Sequence, residues 1–367
     1  MSKKLLISLV IGSLLSALTL YLSFRNVPLR QLVTYLGAIN YWWIVPTIGI
    51  MVTTFVLRTL RWQLILKSID QIGFRQAFHP LMIGFMMNCV LPGRVGELAR
   101  PVLLRQKHGI SITTGIATVA AERIFDIGML ISLFTLVFTT ISSRPDLTGD
   151  YFGFHLNSAV LKSAALGMIR ISIALIVCIA LFTIGVTRRL IKTCIGQMGR
   201  YLVVIMPRAK AKIERLISLA ISIMDNFAIG LTMVRNPGTM IACVILTILI
   251  WLLTAISYLV FAKGCPGINL SFVEFTTTMV VICFAIALPS VPGFWGVWEA
   301  GGVFALSIFG VAEKDALGFI LVNHATQIFP VIAIGLISAL ITSVNILNLT
   351  VNDRRSIDNP KRQVEGV

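Results

Sequence analysis

Four charged side chains surround a Pro-Gly break in an otherwise apolar part of the chain. The stretch LPGRVGELARPVLLRQ, residues 91–106, contains Arg94, Glu97, Arg100 and Arg105, and the fifteen residues before Pro92 contain no Asp, Glu, Lys or Arg. If a helix restarts after Gly96, Glu97 and Arg100 are neighbours at i,i+3. The free backbone N–H groups of a helix start and the fork of an arginine both favour phosphate. The stretch therefore predicts a site for an anionic lipid headgroup.

The energetic cost of these charges limits where they can lie. A charge at the bilayer centre costs about 2.5–3.5 kcal/mol. Arg94, Glu97 and Arg100 facing lipid would cost on the order of 9 kcal/mol, which is comparable to the stability of a whole domain, about 5–15 kcal/mol. They must line a polar cavity, pair with one another or lie at the interface. The alternative interpretation is that Arg100, Arg105 and Lys107 only anchor the segment in the cytoplasmic interface.

A second group of charges falls inside an apolar run. AAERIFDIG, residues 120–128, places Glu122, Arg123 and Asp126 on about one helical turn. Ionisable residues within a membrane span indicate a functional site by default. The alternative is a structural ion pair that locks this helix to the preceding hairpin.

The third candidate is Glu299, which follows VPGFWGVW. A carboxylate beside two tryptophans suits a cationic or sugar-bearing headgroup, although a solvated Glu in an interfacial tryptophan belt is an alternative. Asn323, His324 and Gln327 form a polar patch on a later apolar segment, where we expect hydrogen bonds between helices.

The composition indicates an all-α polytopic membrane protein. The 367 residues are 57% hydrophobic and 13% charged, with a mean hydropathy of +0.91. Uncharged runs of about 18 residues or more can cross a bilayer as helices. We predict about six spanning helices, at 5–22, 41–60, 111–141, 167–187, 239–262 and 317–346. The first run could be a signal peptide, but no A-x-A-like cleavage site follows it, so we expect a retained helix.

The charge distribution predicts the location of the protein. The net charge is +16, which the positive-inside rule and anionic lipids explain without nucleic acid. Lys and Arg concentrate in the segments that lie inside if both termini are cytoplasmic. We therefore expect a multi-pass protein of a bacterial-type inner membrane. The six cysteines and four histidines are scattered, so the sequence predicts no metal site and no cofactor.

Two apolar pieces are too short to cross the membrane comfortably and end in helix breakers. We interpret 77–107 and 272–311 as re-entrant helical hairpins, entering from the cytoplasmic and the outer side respectively. Their breaks, PGRVGE at 92–97 and PGFWGVWE at 292–299, resemble each other, which favours an inverted-topology repeat. The predicted tip residues are Pro92, Gly93 and Gly96 in the first hairpin, and Pro289, Pro292, Gly293 and Gly296 in the second.

The predicted domain organisation follows from this repeat. Residues 1–145 form the first repeat, 146–166 an outer loop and 167–347 the second repeat. Within the second repeat, 188–237 is a cytoplasmic amphipathic segment. Residues 348–367 form a polar cytoplasmic tail.

The stretch LPGRVGELARPVLLRQKHGISITTGIATVAAERIFD, residues 91–126, resembles the signature of the lysylphosphatidylglycerol synthase membrane region, a flippase-like family. The matching residues are Pro92, Gly93, Gly96, Glu97, Arg100, Glu122, Arg123 and Asp126, and Pro292, Gly293, Gly296 and Glu299 resemble the second hairpin more loosely. The resemblance implies transport of a phospholipid from the inner to the outer leaflet. In full-length members a separate soluble domain makes that lipid. No such domain is expected in this sequence, so the substrate stays open.

The expected function is therefore a lipid translocase without catalytic residues, with a membrane phospholipid as its substrate. No nucleotide motif is present, so a gradient or downhill flow drives transport, and Glu97, Glu122 or Asp126 are candidates for proton coupling. One alternative is an intramembrane headgroup transferase with Glu97 or Asp126 as its base. Another is a non-transporting partner of a lipid-modifying enzyme. The oligomeric state is open, a homo-oligomer included.

Overall fold

The computed structural model describes most of the chain. The described residues are 3–91, 94–142, 149–151, 154–156, 167, 170, 185–205, 210–230, 236–287 and 292–344. The predicted tip residues Pro92, Gly93 and Pro289, nearly all of the predicted span 167–187 and the tail 348–367 lie outside them.

The described part of the chain is helical apart from one short hairpin of strands. The helices are α1 Lys3–Phe24, α2 Leu29–Ala38, α3 Ile44–Leu66, α4 Phe74–Val90, α5 Gly96–His108, α6 Ile112–Ser142, α7 Gly185–Ile205, α8 Lys210–Gly230, α9 Pro237–Ala262, α10 Phe272–Ala285, α11 Val297–Ile308 and α12 Glu313–Ile341, with single 3-10 turns at Tyr41–Trp43 and Pro292–Phe294. Strands β1 Gly149–Tyr151 and β2 Phe154–Leu156 pair antiparallel.

Helices long and apolar enough to cross a membrane confirm the predicted multi-pass class. Within the described residues these are Tyr41–Leu66, Pro237–Ala262 and Glu313–Ile341, which correspond to three of the predicted spans. The predicted span 111–141 coincides with α6, a helix of 31 residues that carries three charges, and 5–22 lies within α1. Those two, with 167–187, stay predictions as spans.

The surface of these long helices suits lipid rather than water. Ile241 of α9 and Phe329 and Leu340 of α12 are 59%, 61% and 79% exposed. Apolar side chains exposed to this extent are unfavourable in water but cost nothing against hydrocarbon chains. The exposed apolar residues therefore mark the lipid-facing sides of α9 and α12.

The chain divides into two compact units that are each discontinuous in sequence. Unit 1 comprises Met1–Thr59, Gly73–Ile112 and Leu253–Val367, and unit 2 comprises Leu60–Ile72 and Thr113–Leu252. Each unit draws on both predicted repeats, so the units are not the two sequence halves. The division into successive inverted repeats stays a prediction.

In unit 1, α4 and α5 form a helical hairpin where the sequence predicted one. Buried side chains of α4, α5 and α12, among them Met87, Leu103 and Ala339, make one apolar cluster. The two arms approach most closely at a pair of glycines, because a Cβ on Gly96 would lie 1.8 Å from the carbonyl oxygen of Gly84. Only glycine permits this contact between two helix backbones.

The second hairpin of unit 1 is formed by α10 and α11. The hydroxyl of Ser271 caps α10 by accepting from the backbone N–H of Glu274, and the Glu274 carboxylate accepts from the N–H of Ser271. This reciprocal cap fixes where the helix begins. Helix α11 then packs against α10, α1 and α12, which buries its polar residues as well as its apolar ones.

Unit 2 contains the predicted amphipathic segment, which forms two helices. The carboxylate of Asp225 in α8 pairs with Lys192 in α7, and Gly199 of α7 lies against Ile217 of α8. Large apolar side chains stay outside this pairing; Tyr201 and Val204 are 72% and 79% exposed. That pattern is typical of helices lying on a membrane surface.

Candidate functional site

The tips of the two hairpins in unit 1 are in contact. Arg94, at the first tip, donates from Nη2 to the carbonyl oxygen of Ile286, which ends α10, at 2.9 Å. Its guanidinium lies 5.9 Å from the centre of the Phe294 ring in the second tip. Arg94 is exposed and has a positive φ of 54°, so its backbone is strained to place this side chain. The tips of the two predicted hairpins therefore meet within unit 1.

The first tip is held by backbone contacts rather than by the predicted ion pair. The N–H of Gly96 donates to Asn88 Oδ1 at 2.8 Å, across the hairpin. Helix α5 does restart at Gly96 as predicted, but no ion pair joins the half-buried Glu97 to another described residue. Arg100 is only 2% exposed and lies along Gly84. Arg100 is therefore a packed residue of the hairpin in this conformation.

The second tip has an unusual backbone. Gly293, Phe294 and Gly296 have φ values of 72°, 62° and 91°. A side chain at Gly296 would also meet the carbonyl oxygen of Ser16 in α1, at 2.5 Å from the new Cβ. Three left-handed residues in four require support from the surrounding structure.

Glu299 and His324 supply that support. The Glu299 carboxylate accepts from the N–H of Gly296 through Oε2 at 2.6 Å, and its Oε1 lies 2.6 Å from His324 Nδ1. His324 Nε2 lies 2.9 Å from the carbonyl oxygen of Gly293. Both side chains are fully buried. The interpretation of Glu299 as a solvated residue in a tryptophan belt is wrong, because the carboxylate is the buried link between the tip and α12.

Two tryptophans cover the faces of the histidine ring. The Trp298 ring stacks on His324 with an interplanar angle of 5° and a centroid distance of 4.4 Å, and Trp295 lies at 4.5 Å. These indoles shield the pair from solvent. The aromatic residues that suggested headgroup recognition in the sequence thus pack against His324.

In unit 2, the predicted charges of α6 surround an arginine from α3. Arg61 donates from Nη1 to Asp126 Oδ1 and to Thr247 Oγ1, both at 2.8 Å. Its Nη2 lies 3.4 Å from Glu122 Oε1. The side chains of Arg61 and Glu122 are fully buried, so this group needs its charges balanced internally.

Arg123 completes the balance and reaches the surface. Its Nη2 lies 3.4 Å from Glu122 Oε1 and 3.5 Å from Asp126 Oδ2, which confirms the predicted i,i+3 pair. Two arginines and two carboxylates make the group neutral. The Arg123 side chain is 31% exposed, so it is the charge of this group that a ligand can approach.

Sequence reasoning missed two partners. Arg61 was assigned to a cytoplasmic segment, because it follows a long uncharged run as topogenic charges do, yet it is fully buried. His324 was flagged only as part of a polar patch. Of that patch, Gln327 does bond between helices, donating to Ser257 Oγ at 3.2 Å. Neither missed pairing has a local signal, since the partners are 65 and 25 residues apart.

The chain matches the family model described as "Lysylphosphatidylglycerol synthase TM region" over residues 6–335. This match covers both hairpins and the α6 charges.

Two curated proteins are similar to the chain. One is the glycosyltransferase AglD of Haloferax volcanii, 25% identical over 144 residues, which are 38% of this chain and 23% of that protein. The chain thus matches less than a quarter of AglD. The other is a UPF0104 membrane protein of Methanocaldococcus jannaschii, 23% identical over 269 residues, covering 73% of this chain and 99% of that protein. No solved structure matches the chain.

Proposed function

Because the chain belongs to the lysylphosphatidylglycerol synthase TM region family, we propose that it is a flippase-like lipid translocase. It moves an anionic or modified phospholipid, or a lipid-linked headgroup, between the leaflets of the membrane. The family and the spanning helices support a role in the membrane. That this role is the transport of a lipid is the proposal.

The contact between the hairpin tips carries the proposal. The four arms α4, α5, α10 and α11 have 17, 13, 14 and 12 residues, whereas a membrane span needs about 20. Arms this short turn back within the bilayer, and broken helices at that depth are tolerated only inside protein or beside a wet cavity. Transporters use such discontinuous helices to form substrate sites.

The exposed arginines define the chemistry of the headgroup. Arg94 at the tips and Arg123 in unit 2 are accessible, whereas Arg100 and Arg61 are buried. A guanidinium binds phosphate through two parallel hydrogen bonds. Arg94 donates to one carbonyl in this structure, so a phosphate competes with Ile286 for it and loosens the tip contact.

In the proposed mechanism the two tips separate to admit the headgroup, while the acyl chains remain in lipid. The headgroup is then exposed to one side of the membrane or the other, depending on which hairpin moves. A gradient or downhill flow of lipid supplies the driving force. The bacterial-type inner membrane and cytoplasmic termini predicted from the charge distribution belong to this proposal.

The test is translocation by the purified protein in phosphatidylcholine vesicles that carry an acyl-labelled fluorescent phosphatidylglycerol. Reduction of the outer-leaflet label by dithionite reports the fraction of lipid that has moved. We expect translocation well above that of protein-free vesicles. A bismaleimide crosslink between Val95→Cys and Phe294→Cys, which joins the tips, should abolish it, and either single variant treated alike is the control. Movement no faster than in empty vesicles for any phospholipid would reject the function.

A second function, headgroup transfer, has one observation in its favour. The similar region of AglD belongs to a protein named as a glycosyltransferase. Cys265 is a poor nucleophile for such a transfer, because burial raises the pKa of its thiol to about 12. Mass spectrometry of lipids after incubation with a glycosylated or aminoacylated lipid donor distinguishes transfer from movement. If the protein is instead a non-transporting partner, we expect neither lipid transfer nor lipid movement. A lipid-modifying enzyme should then co-purify with it.

A further inference from the structure

The Glu299–His324 pair holds the second tip through a chain of three contacts. The carboxylate accepts the N–H of Gly296, the two side chains meet at 2.6 Å, and His324 Nε2 meets the carbonyl oxygen of Gly293. These contacts bracket the left-handed residues of the tip. The protonation of one histidine and one carboxylate therefore controls whether the tip can keep its shape.

Counting protons shows which form the geometry accepts. A carbonyl oxygen only accepts, so His324 Nε2 must carry a proton. The contact between Nδ1 and Glu299 Oε1 needs a second proton, on either atom. With both present the pair is neutral overall, which suits full burial. If one proton leaves, either the contact with Gly293 or that with Glu299 sets two lone pairs against each other.

We infer that the Glu299–His324 pair is a proton-binding site whose loss of one proton opens the second hairpin tip, making the proton the coupling ion of transport. The inference rests on the proposed function, and it assigns proton coupling to this pair instead of Glu97, Glu122 or Asp126, the candidates from the sequence. The closed tip holds one proton more than the open tip. Raising the pH therefore favours opening, by about tenfold in the opening constant per pH unit for one proton.

No other described charge competes for this proton. The described side chains that titrate or carry a charge on the elements around α11 and α12 are Tyr21 on α1, Arg30 and Tyr35 on α2, Arg75, His79 and Cys89 on α4, Glu97, Arg100, Arg105, Lys107 and His108 on α5, Tyr258 on α9, Glu274 and Cys283 on α10, and Glu313, Lys314 and Asp315 on α12 itself. None of these side chains has a hydrogen bond or ion pair with Glu299 or His324. Arg94, beside Phe294, is the charge at the tips.

The residue before His324 has an unsatisfied buried amide. Asn323 precedes His324 on α12, is fully buried, and neither atom of its amide bonds to a described residue. Buried polar groups of this kind are normally satisfied by an ordered water.

The test is hydrogen exchange of the tip peptide, read by mass spectrometry on the full chain in lipid nanodiscs. Protection of residues 292–299 is compared from about pH 5 to about pH 9 after correction for the intrinsic exchange rate. We expect protection in the wild type to fall about tenfold per pH unit above the transition. His324→Gln and Glu299→Gln should expose the tip at every pH. His108→Gln, in the last turn of α5, should behave as the wild type.

The outcomes separate this inference from the proposed function. Wild-type protection that does not change with pH overturns the proton site, whether or not either variant folds. A pH response that persists in His324→Gln overturns it as well. If protection follows pH but no lipid moves in the vesicle assay, the proton site stands and the translocase function fails. If lipid moves while protection is constant, the function stands without this coupling.

Discussion

At the scale of single residues, neutral groups of buried charges distinguish this protein. Arg61, Arg123, Glu122 and Asp126 balance one another in unit 2, and Glu299 and His324 do so in unit 1. A buried charge is tolerated only when it is paired and hydrogen-bonded. Removing one member should therefore cost more than removing the whole group.

Arg61→Met tests this balance. The substitution leaves Glu122 and Asp126 with Arg123 alone, so we expect a loss on the order of 3–5 kcal/mol in stability. The measurement is a thermal melt of the detergent-purified protein. Arg58→Met, one turn earlier on α3 and only partly buried, is the matched control and should cost less. Adding Glu122→Gln leaves Arg123 paired with Asp126 alone, which makes the group neutral again and should restore much of the loss. A wild-type melt for Arg61→Met would contradict the prediction.

Arg94→Ala tests the contact between the tips. Alanine keeps a side chain at the left-handed position, so the backbone strain is retained while the bond to Ile286 is lost. The guanidinium that binds the phosphate of the headgroup is lost as well. A hydrogen bond to a charged group is worth about 1.5–3 kcal/mol, and exposure reduces this, so translocation should fall roughly tenfold with little change in melting. Arg105→Ala, in the exposed last turn of α5, should translocate normally. Equal activity of both variants would remove Arg94 from the mechanism.

At the scale of elements, the hairpins depend on close backbone contact. Gly84 against Gly96 in the first hairpin, and Gly301 against Ala285 in the second, bring the arms nearer than larger side chains allow. Small residues at helix interfaces are the usual means of association in membranes, where no hydrophobic force drives helices together.

Gly96→Ala should separate α4 from α5. The new Cβ would lie 1.8 Å from the Gly84 carbonyl oxygen, and overpacking of this kind costs about 1–3 kcal/mol. The Gly96 bond to Asn88 should be lost with it. Gly49→Ala in α3 is the control, because a Cβ there meets nothing within 4 Å, and it should stabilise the helix by up to about 1 kcal/mol. Comparable melting temperatures for the two variants would contradict the close-contact interpretation.

At the scale of the whole molecule, orientation in the membrane is predicted by charge. Lys210 begins α8 and is predicted to lie inside, whereas Lys263 follows α9, stacks 5.4 Å from the Trp43 ring and is predicted to lie outside. The two lysines bracket the apolar helix α9. Their sides therefore fix the direction in which α9 crosses.

Cysteine labelling decides this orientation. In a background with the exposed Cys194 replaced by serine, an impermeant maleimide should label Lys263→Cys in right-side-out vesicles and Lys210→Cys only in inverted ones. The charge asymmetry of the positive-inside rule is the physical reason. Labelling of Lys210→Cys from outside would reverse the topology and the predicted entry sides of the hairpins.

The sequence by itself determined the protein class, the breaks in the hairpins and the positions of the charges, because these depend on local composition and spacing. Runs with little or no charge predicted α3, α9 and α12 as spans, and helix breakers predicted that α4 ends before Pro92 and α10 before Pro289. The i,i+3 pair of Arg123 and Asp126 was also predictable, since helical geometry alone sets it.

Only the tertiary structure decided which charge pairs with which. The sequence predicted Arg61 in a cytoplasmic segment and Glu299 at a headgroup site, whereas the structure makes Arg61 the centre of the α6 group and Glu299 the partner of His324. These choices depend on which helix faces pack together, and helix packing is specified by shape across distant parts of the chain. A buried charge requires a partner of opposite charge, but the sequence does not show which distant residue that partner is.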